Sequence, residues 1–549
     1  MRPRPLPQAL VAIGLASLAA PALAQSFGTT PDFGMAPEYA QNVPAPEQNA
    51  QNAPVPGQNA PGAARAPPER RLRIIPLIGI EETYSDNMGL EAKDAARHGW
   101  ITDLAPGLRI EGRTSRLNLF VDFRFHDLHY AGASDLDHTQ RFLDSAATFE
   151  AVRNWLYIDG MATRTQESRN PFGAALAPDA PSASSNRVET SVYQVSPFVR
   201  GSLGERAAYE VRLRGSDIQT DDGTLPHSRV AESLVRLGSP SPATRLTWKA
   251  DAYALSFDND VVDRLDSARI RLSLLYEILP ELRVSLSEGR ERTDFAGPEP
   301  VEKTNPGVGL SWTPSNRTQL AGLYERRFFG DGYNFLFTHR TRLTAWSVRS
   351  SRDAVVVPHL LAGPSSAPYG LFYDLLAASV PDPAERASAA RRQLDAFGIP
   401  SQSILDSGFL SERPYLYQET EASVALLGTR NVVTFTYGRR NEKPFDVTFG
   451  GATPLLETEV TRTGYNANWA HRLTRLSTLT LSGTRLKTEG EGANAAQSRE
   501  WNVRLAFSTR LNPQTDLVLG VRRSAFDSTT SIDYRENAIF LTLIYRPRL

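Results

Sequence analysis

The stretch Leu117-Asn118-Leu119-Phe120-Val121-Asp122-Phe123-Arg124-Phe125-His126 decides the fold. Leu117, Leu119, Val121, Phe123 and Phe125 form one set; Asn118, Asp122, Arg124 and His126 fall in the other. Successive side chains of a strand point to opposite faces, so this ribbon has an oily face and a wet face. The alternation returns in Tyr209–Arg214, in Ala268–Leu274 and in Val503–Ser508. Many long strands with charge on the second face predict an all-β fold: a transmembrane antiparallel β-barrel with lipid outside and water inside. Leu119, Val121, Phe123, Leu213, Ile270, Leu272, Leu505 and Leu541 are the expected lipid-facing residues.

Composition fits. The chain has 549 residues, mean hydropathy is −0.34 and hydrophobic content is 41%. No stretch after the first 25 residues offers the ~18 apolar residues that a spanning helix needs. A barrel escapes that test, since only alternate residues meet lipid. Cysteine is absent, which excludes disulfides and thiolate chemistry. A net charge of −1 gives no global field for nucleic acid.

At the N-terminus, Arg2 and Arg4 precede the apolar run Ala9–Leu18, and Ala22-Leu23-Ala24 fits the small-x-small cleavage rule. Residues 1–24 read as a secretory signal peptide. Residues 25–70 read as a disordered periplasmic linker rich in Pro, Gln and Asn, with a tandem decapeptide at Gln41–Ala50 and Gln51–Ala60. At ~3.1 Å per residue in polyproline form it would reach on the order of 100 Å or more. It is too short and too polar to be the folded plug of a TonB-dependent receptor.

Residues 71–549 read as the barrel, with about 20–22 strands and alternating short and long connections. The strand list is odd until one crossing is found before the turn Gly428-Thr429-Arg430-Asn431. Ala354–Val357, turning at Ser351-Arg352-Asp353, is the expected missing crossing. Residues 362–412 are an insert of a different kind. Asp382-Pro383-Ala384-Glu385 supplies an N-cap, a first-position proline and a capping-box acid. A helix over Ala384–Phe397 follows, ended by Gly398 and Pro400. Leu371, Phe372, Leu375 and Leu376 suggest a shorter helix before it. A barrel of this size has a wide lumen, open or plugged. Leu371, Phe372, Leu375, Leu394 and Phe397 are the candidate plug residues, because two short helices alone give too small a core. The insert as a surface loop is the competing reading.

The chemistry-bearing residues are the wet-face arginines Arg109, Arg124, Arg212, Arg214, Arg236, Arg269, Arg271, Arg340 and Arg342, with acids such as Asp122, Glu232 and Asp251. They make either a charged track for an anionic solute or a cross-strand ladder that satisfies itself. His126, Asp127, His129, Asp135, Asp137 and His138 cluster near one loop, but strand parity sends His126 and His129 to opposite faces. Gly307-Val308-Gly309 lies in a strand and makes no phosphate loop. No nucleophile elbow is present, so neither an enzyme nor a cofactor is expected. Trp100, Tyr130, Trp155, Trp312, Phe328, Phe329, Tyr333, Trp469 and Trp501 suit interfacial aromatic girdles.

Ile80–Asn87, Ala105-Pro106-Gly107, Val195-Ser196-Pro197, Leu310–Thr318, Phe328-Phe329-Gly330, His339–Arg342, Asp382–Arg386, Gly408-Phe409-Leu410 and Gly428–Asn431 follow one another in an order that resembles one family. The chain, over about 73–549, looks like the PEP-CTERM system-associated outer-membrane β-barrels. The resemblance implies a Gram-negative outer-membrane location and a non-enzymatic role in exopolysaccharide export or envelope assembly. The implied partners are outer-membrane lipid, the barrel assembly machinery and periplasmic polysaccharide-export components. A non-transporting scaffold or adhesin and a general solute porin are the alternatives. The terminus departs from the common pattern, since Tyr545 is followed by Arg546-Pro547-Arg548-Leu549.

Overall fold

The computed structural model describes residues 71–175, 181–221, 227–239, 245–260, 264–297, 299–355, 367–377, 380, 383–399, 414–445, 459–491 and 495–547. The signal peptide and linker assigned to residues 1–70 lie outside the described residues.

The strands are β1 (Arg71–Ser85), β2 (Gly99–Arg113), β3 (Leu117–Tyr130), β4 (His138–Val152), β5 (Leu156–Ser168), β6 (Arg187–Leu203), β7 (Ala207–Thr220), β8 (Ser228–Gly238), β9 (Leu246–Asn259), β10 (Leu265–Leu279) and β11 (Leu282–Thr293). They continue as β12 (Val301–Thr304), β13 (Gly307–Ser315), β14 (Thr318–Arg327), β15 (Gly330–Arg340), β16 (Thr344–Val355), β17 (Tyr415–Leu427), β18 (Asn431–Pro444), β19 (Val460–Arg472), β20 (Ser477–Gly490), β21 (Gln497–Asn512), β22 (Thr515–Ser528) and β23 (Tyr534–Tyr545). Two helices, α1 (Ala367–Leu376) and α2 (Pro383–Phe397), lie between β16 and β17.

Every neighbouring pair is antiparallel, and β1 pairs with both β2 and β23, from Ile78↔Tyr545 to Ser85↔Ala538. The sheet therefore closes on itself, leaving no edge to hydrogen-bond in hydrocarbon. β12 and β13 both pair with β11 and form one crossing. Pro306 has no N–H to give the ladder, so the strand breaks there; the Asn305 N–H still reaches Gly289 O at 2.8 Å. Twenty-three strand segments thus make a closed barrel of 22 crossings.

The expected strand number holds, but one boundary is corrected. The missing crossing is not Ala354–Val357. The chain turns at 341–343, and Thr344–Val355 is the whole of β16. Thr341 Oγ1 accepts the N–H groups of Leu343 (3.2 Å) and Thr344 (3.0 Å). A hydroxyl bonding the backbone two and three residues on makes a turn without Gly or Pro. Arg342 consequently sits exposed in that turn and not on the lumen wall.

The faces sort as the alternation requires. Leu213, Ile270, Leu272, Leu505 and Leu541 are exposed on the outer surface, and Phe123 lies beside Leu119 and Val121 on the same face. Trp100, Trp155, Trp312 and Trp469 stand exposed near strand ends as a girdle should. Tyr130 and Phe328 do not. Tyr130 is buried with Met88, Ile101 and Leu128, and Phe328 packs against the inward-facing cluster of Val188, Val192 and Phe257. No helix among the described residues is long and apolar enough to cross a membrane.

An arginine on the lipid face tests the register. Leu272→Arg, mid-strand in β10, should cost ~2–4 kcal/mol, falling toward zero near an interface. Asn118→Arg, on the other face at the mouth end of β3, should be far milder. Unfolding in urea from lipid vesicles measures both, and equal losses would mean that the faces are wrongly assigned.

Candidate functional site

The connections alternate strictly. Turns such as 114–116, 204–206, 316–317, 428–430 and 513–514 lie at one mouth, and longer loops such as 86–98, 169–186 and 356–414 join strands at the other. The insert leaves β16 at Val355, at the long-loop mouth. Yet Leu371 of α1 packs on Ala345 and Ala425, near the short-turn end of β16 and β17. Ten residues of strand separate Ala345 from Val355, about 30 Å at ~3.3 Å per residue. The insert has descended that far. It has done so inside the barrel, because Ala345 and Ala425 are buried while the alternating Trp346 and Leu426 are exposed outside. The apolar face of α1 is therefore seated on the inward-facing side of the wall.

The helix pair has a local cause. Pro383 opens α2, and Gly398 at φ +61° ends it. The Ile399 N–H meets Leu394 O (3.1 Å) and the Gly398 N–H meets Asp395 O (3.1 Å). This is the Schellman arrangement, in which Leu394 and Ile399 also touch. Tyr369, Phe372, Ala390, Leu394 and Phe397 then pack on Val432 and Ala470 of the wall. Thr480 Oγ1 donates to Phe397 O at 2.6 Å. Toward the other side of the lumen, Arg109 of β2 reaches Asp395 at 3.4 Å, and the Arg391 guanidinium lies 4.0 Å from the Phe120 ring centroid on β3. The pair therefore bridges the wall from β16–β20 to β2–β3. All five candidate plug residues lie in this seat: Phe372, Leu394 and Phe397 in one cluster, Leu371 and Leu375 in its neighbour. The sequence signal for the receiving wall was the run of small inward residues at one end of successive strands: Ala345, Ala425, Val432, Ala470 and Thr480.

The 169–186 connection reaches inward at the long-loop mouth. The Ala175 N–H donates to Glu500 on β21 (2.8 Å), Ser182 Oγ to Glu536 on β23 (2.7 Å), and Tyr130 OH to Pro181 O. Arg522 bonds both Ser182 and Glu536 at 2.9 Å. Nearby, Arg97 ties Glu91 to Asp135, each at 2.8 Å; its hydrogen bonds hold the Asp135 carboxyl below the usual carboxylate range.

Between the helix pair and that connection lie the charges. Arg271 joins Asp251 (3.3 Å) and Glu325, and Arg269 reaches Glu325 at 3.3 Å. Arg214 meets Glu232 at 3.0 Å, and Glu232 also accepts from Tyr253 OH at 2.7 Å. Arg212 bonds Asp159 at 2.7 Å, with its guanidinium 3.9 Å from the Phe198 ring centroid. Arg327 holds Glu291 (2.5 Å) and Asp353 (3.0 Å). Arg109 and Arg124 share Asp122, at 2.6 and 3.2 Å. Arg340 faces inward at a strand end and donates to Asn316 O at 2.8 Å. Arg109, Arg124, Arg212, Arg214, Arg269 and Arg271 thus each hold a carboxylate partner. This is the self-satisfying ladder rather than a bare cationic track.

The histidine cluster does not converge. His126 pairs with Asp103 at 2.7 Å, whereas His129, on the opposite face, is near Asp127 and Asp137 at 3.3 and 3.6 Å. Among the described residues no His, Cys, Asp and Glu group is placed to hold a metal ion.

Closure, an apolar outer band and a filled polar interior define the chain as an outer-membrane β-barrel. No family model and no curated relative matches it. Among solved structures it is similar to the siderophore receptor PirA from Acinetobacter baumannii, at 9% identity over 86% of this chain and 80% of that one, TM-score 0.45. It is also similar to BauA, the ferric preacinetobactin receptor from Acinetobacter baumannii, at 10% identity, 86% and 80% coverage and TM-score 0.42. For OpdO from Pseudomonas aeruginosa the identity is 13%, the coverage 86% and 98% and the TM-score 0.31. The barrel class rests on the strand pairing, not on these likenesses.

Removing one partner from a buried ion cluster strands the others. Glu325→Gln leaves Arg269 and Arg271 without their shared carboxylate and should destabilise the barrel by about 3–5 kcal/mol. Glu302→Gln, which breaks the exposed pair with Arg290 at 2.7 Å, should change stability by no more than about 1 kcal/mol. Chemical denaturation of the two variants side by side gives the comparison.

Proposed function

We propose that this barrel is a porin-like passage for hydrophilic solutes that rests closed, with the α1–α2 pair as its stopper. One observation carries the reading: Leu371 lies on Ala345 and Ala425 although its segment enters from the far mouth. A surface ornament would not bury its apolar face on the inner wall at the opposite end of the barrel. With the N-terminal linker and the short turns in the periplasm, the stopper closes the periplasmic mouth.

Export of exopolysaccharide is what the family resemblance implies, and it stays a second reading on those sequence phrases. The paired arginines bear on it. A polyanion would find guanidinium groups already neutralised by Asp122, Asp159, Glu232 and Glu325, so an arginine track gives no support to a strongly anionic cargo.

The measurement is single-channel conductance in planar bilayers. Leu394→Asp with Phe397→Asp, in the full chain, places two carboxylates in the apolar seat, which the helix pair can relieve only by leaving it. That variant, and a deletion of 365–407 bridged by Gly/Ser, should conduct severalfold more than the parent while assembling normally. Assembled barrels with parent conductance would end the stopper reading and favour a non-transporting scaffold. Deleting the gene then separates cargoes: changed small-solute uptake fits the porin, and lost surface polysaccharide fits export.

A further inference from the structure

The inner wall is chemically divided. The clusters around Arg214, Arg271 and Arg327 lie on β7–β16. Across β16–β21, one row of Cα partners reads Ser347, Ser423, Thr436, Asn466, Thr484 and Asn502. Neighbouring strands lie ~4.8 Å apart, so this is an unbroken belt of hydroxyls and carboxamides about 24 Å long. The row nearer the stopper begins with Ala345 and Ala425, on which Leu371 rests. The row on the other side begins with Arg349 and Glu421, which face each other as Cα partners.

Three adjacent members of the belt are peculiar. Ser347, Ser423 and Thr436 are only 7%, 5% and 4% exposed, and their hydroxyls meet no hydrogen-bond partner among the described residues. Asn468 Oδ1, one row below, is in the same state, although its amide group donates to Thr434 and Asn466 at 3.0 and 2.7 Å. A buried unsatisfied polar group costs free energy, and three side by side on consecutive strands call for an occupant. There is also room. Gly438 faces inward one row above Thr436, and a Cβ added there would meet nothing within 4 Å. The wall is thinned beside the unsatisfied hydroxyls.

We propose that this belt is a binding track for an uncharged, polyhydroxylated chain, that is, a neutral oligosaccharide, reached when the stopper withdraws. The inference rests on the passage reading above and adds the substrate class. The chemistry is one of matching. A serine or threonine hydroxyl gives one donor and two acceptors, and a carboxamide gives both kinds. Sugar hydroxyls are likewise donors and acceptors together, so a chain sliding along the belt exchanges one hydrogen bond for an equivalent one at each strand. No bare charge on the belt holds it in place. An anionic or cationic solute finds no charged side chain in the belt itself, and the arginines of the neighbouring arc already hold carboxylates.

The test uses the full chain carrying Leu394→Asp and Phe397→Asp, with maltohexaose as the probe, read as block of single-channel current. Maltohexaose should block in discrete events whose affinity changes little between 0.1 and 1 M KCl, since no charge is involved. Adding Ser347→Ala, Ser423→Ala and Thr436→Val should weaken the block about tenfold or more, as expected for two or three lost hydrogen bonds. A polyethylene glycol of similar size supplies no hydroxyl array and should not block in the same way; an anionic oligogalacturonate should bind more weakly than maltohexaose. If the opened channel conducts but maltohexaose blocks no better than the glycol, or equally well in the triple variant, the track is refuted while the passage reading stands. If the opened variant fails to conduct at all, the passage reading fails first, and this inference goes with it.

Discussion

Everything in this molecule follows from the requirement that no backbone N–H or C=O be left unpaired against hydrocarbon. A strand inside a membrane needs two neighbours, and the first and last strands can obtain a second neighbour only from each other. The pairing of β1 with β23 meets that need. It also creates the problem that the rest of the structure answers. A ring of 22 crossings encloses a wide interior, and a wide interior lined by side chains must be flooded, filled or gated. This chain fills it: ion clusters on one arc, apolar side chains and a loop toward one mouth, a helix pair toward the other.

The filling explains features that look contradictory from the surface rule alone. Val188, Val192, Leu255 and Phe257 are buried apolar residues near the lumen, although the inner face of a barrel strand is nominally the wet one. They are dry because loop residues such as Phe295 and Phe328, with Phe445 just past the end of β18, come in to meet them; the Phe328 and Phe445 rings lie 5.4 Å apart. Arg214, Arg269 and Arg271 persist buried because each finds a carboxylate on a neighbouring or nearby strand.

How much of this was legible before the structure depended on the range of the interaction. The alternation in Leu117–His126 is set by adjacent residues, so it was readable, and with it the barrel and its lipid face. Helix α2 was readable for the same reason: a proline at its first position and Gly398 just past its end are local signals. The turn at Thr341 is illegible because its turn-former is a hydroxyl and not Gly or Pro, so the sequence puts the turn at Ser351-Arg352-Asp353 and Arg342 on a wall to which it does not belong. The apolar residues of the helix pair are legible in the sequence, but their seat is not. Ala345 and Ala425 become a surface only once register sets them side by side. Nor could the pairing of Arg271 with Glu325 be read, since 54 residues separate the two.

The two ends of the sheet meet at the β1–β23 seam, and the helix pair touches strands on both sides of it: Arg109 and Phe120 on β2 and β3, Ala425, Ala470 and Thr480 on β17, β19 and β20. The 169–186 loop does likewise at the other mouth, linking β5 and β6 to β21 and β23. These internal pieces therefore act as splints across the joint. A ring assembled from one chain has a weakest point where its ends are stitched, and here that point is braced from within at both rims. Whatever displaces the helix pair also removes one of those braces, so the filling of the lumen and the firmness of the seam are tied to the same few side chains.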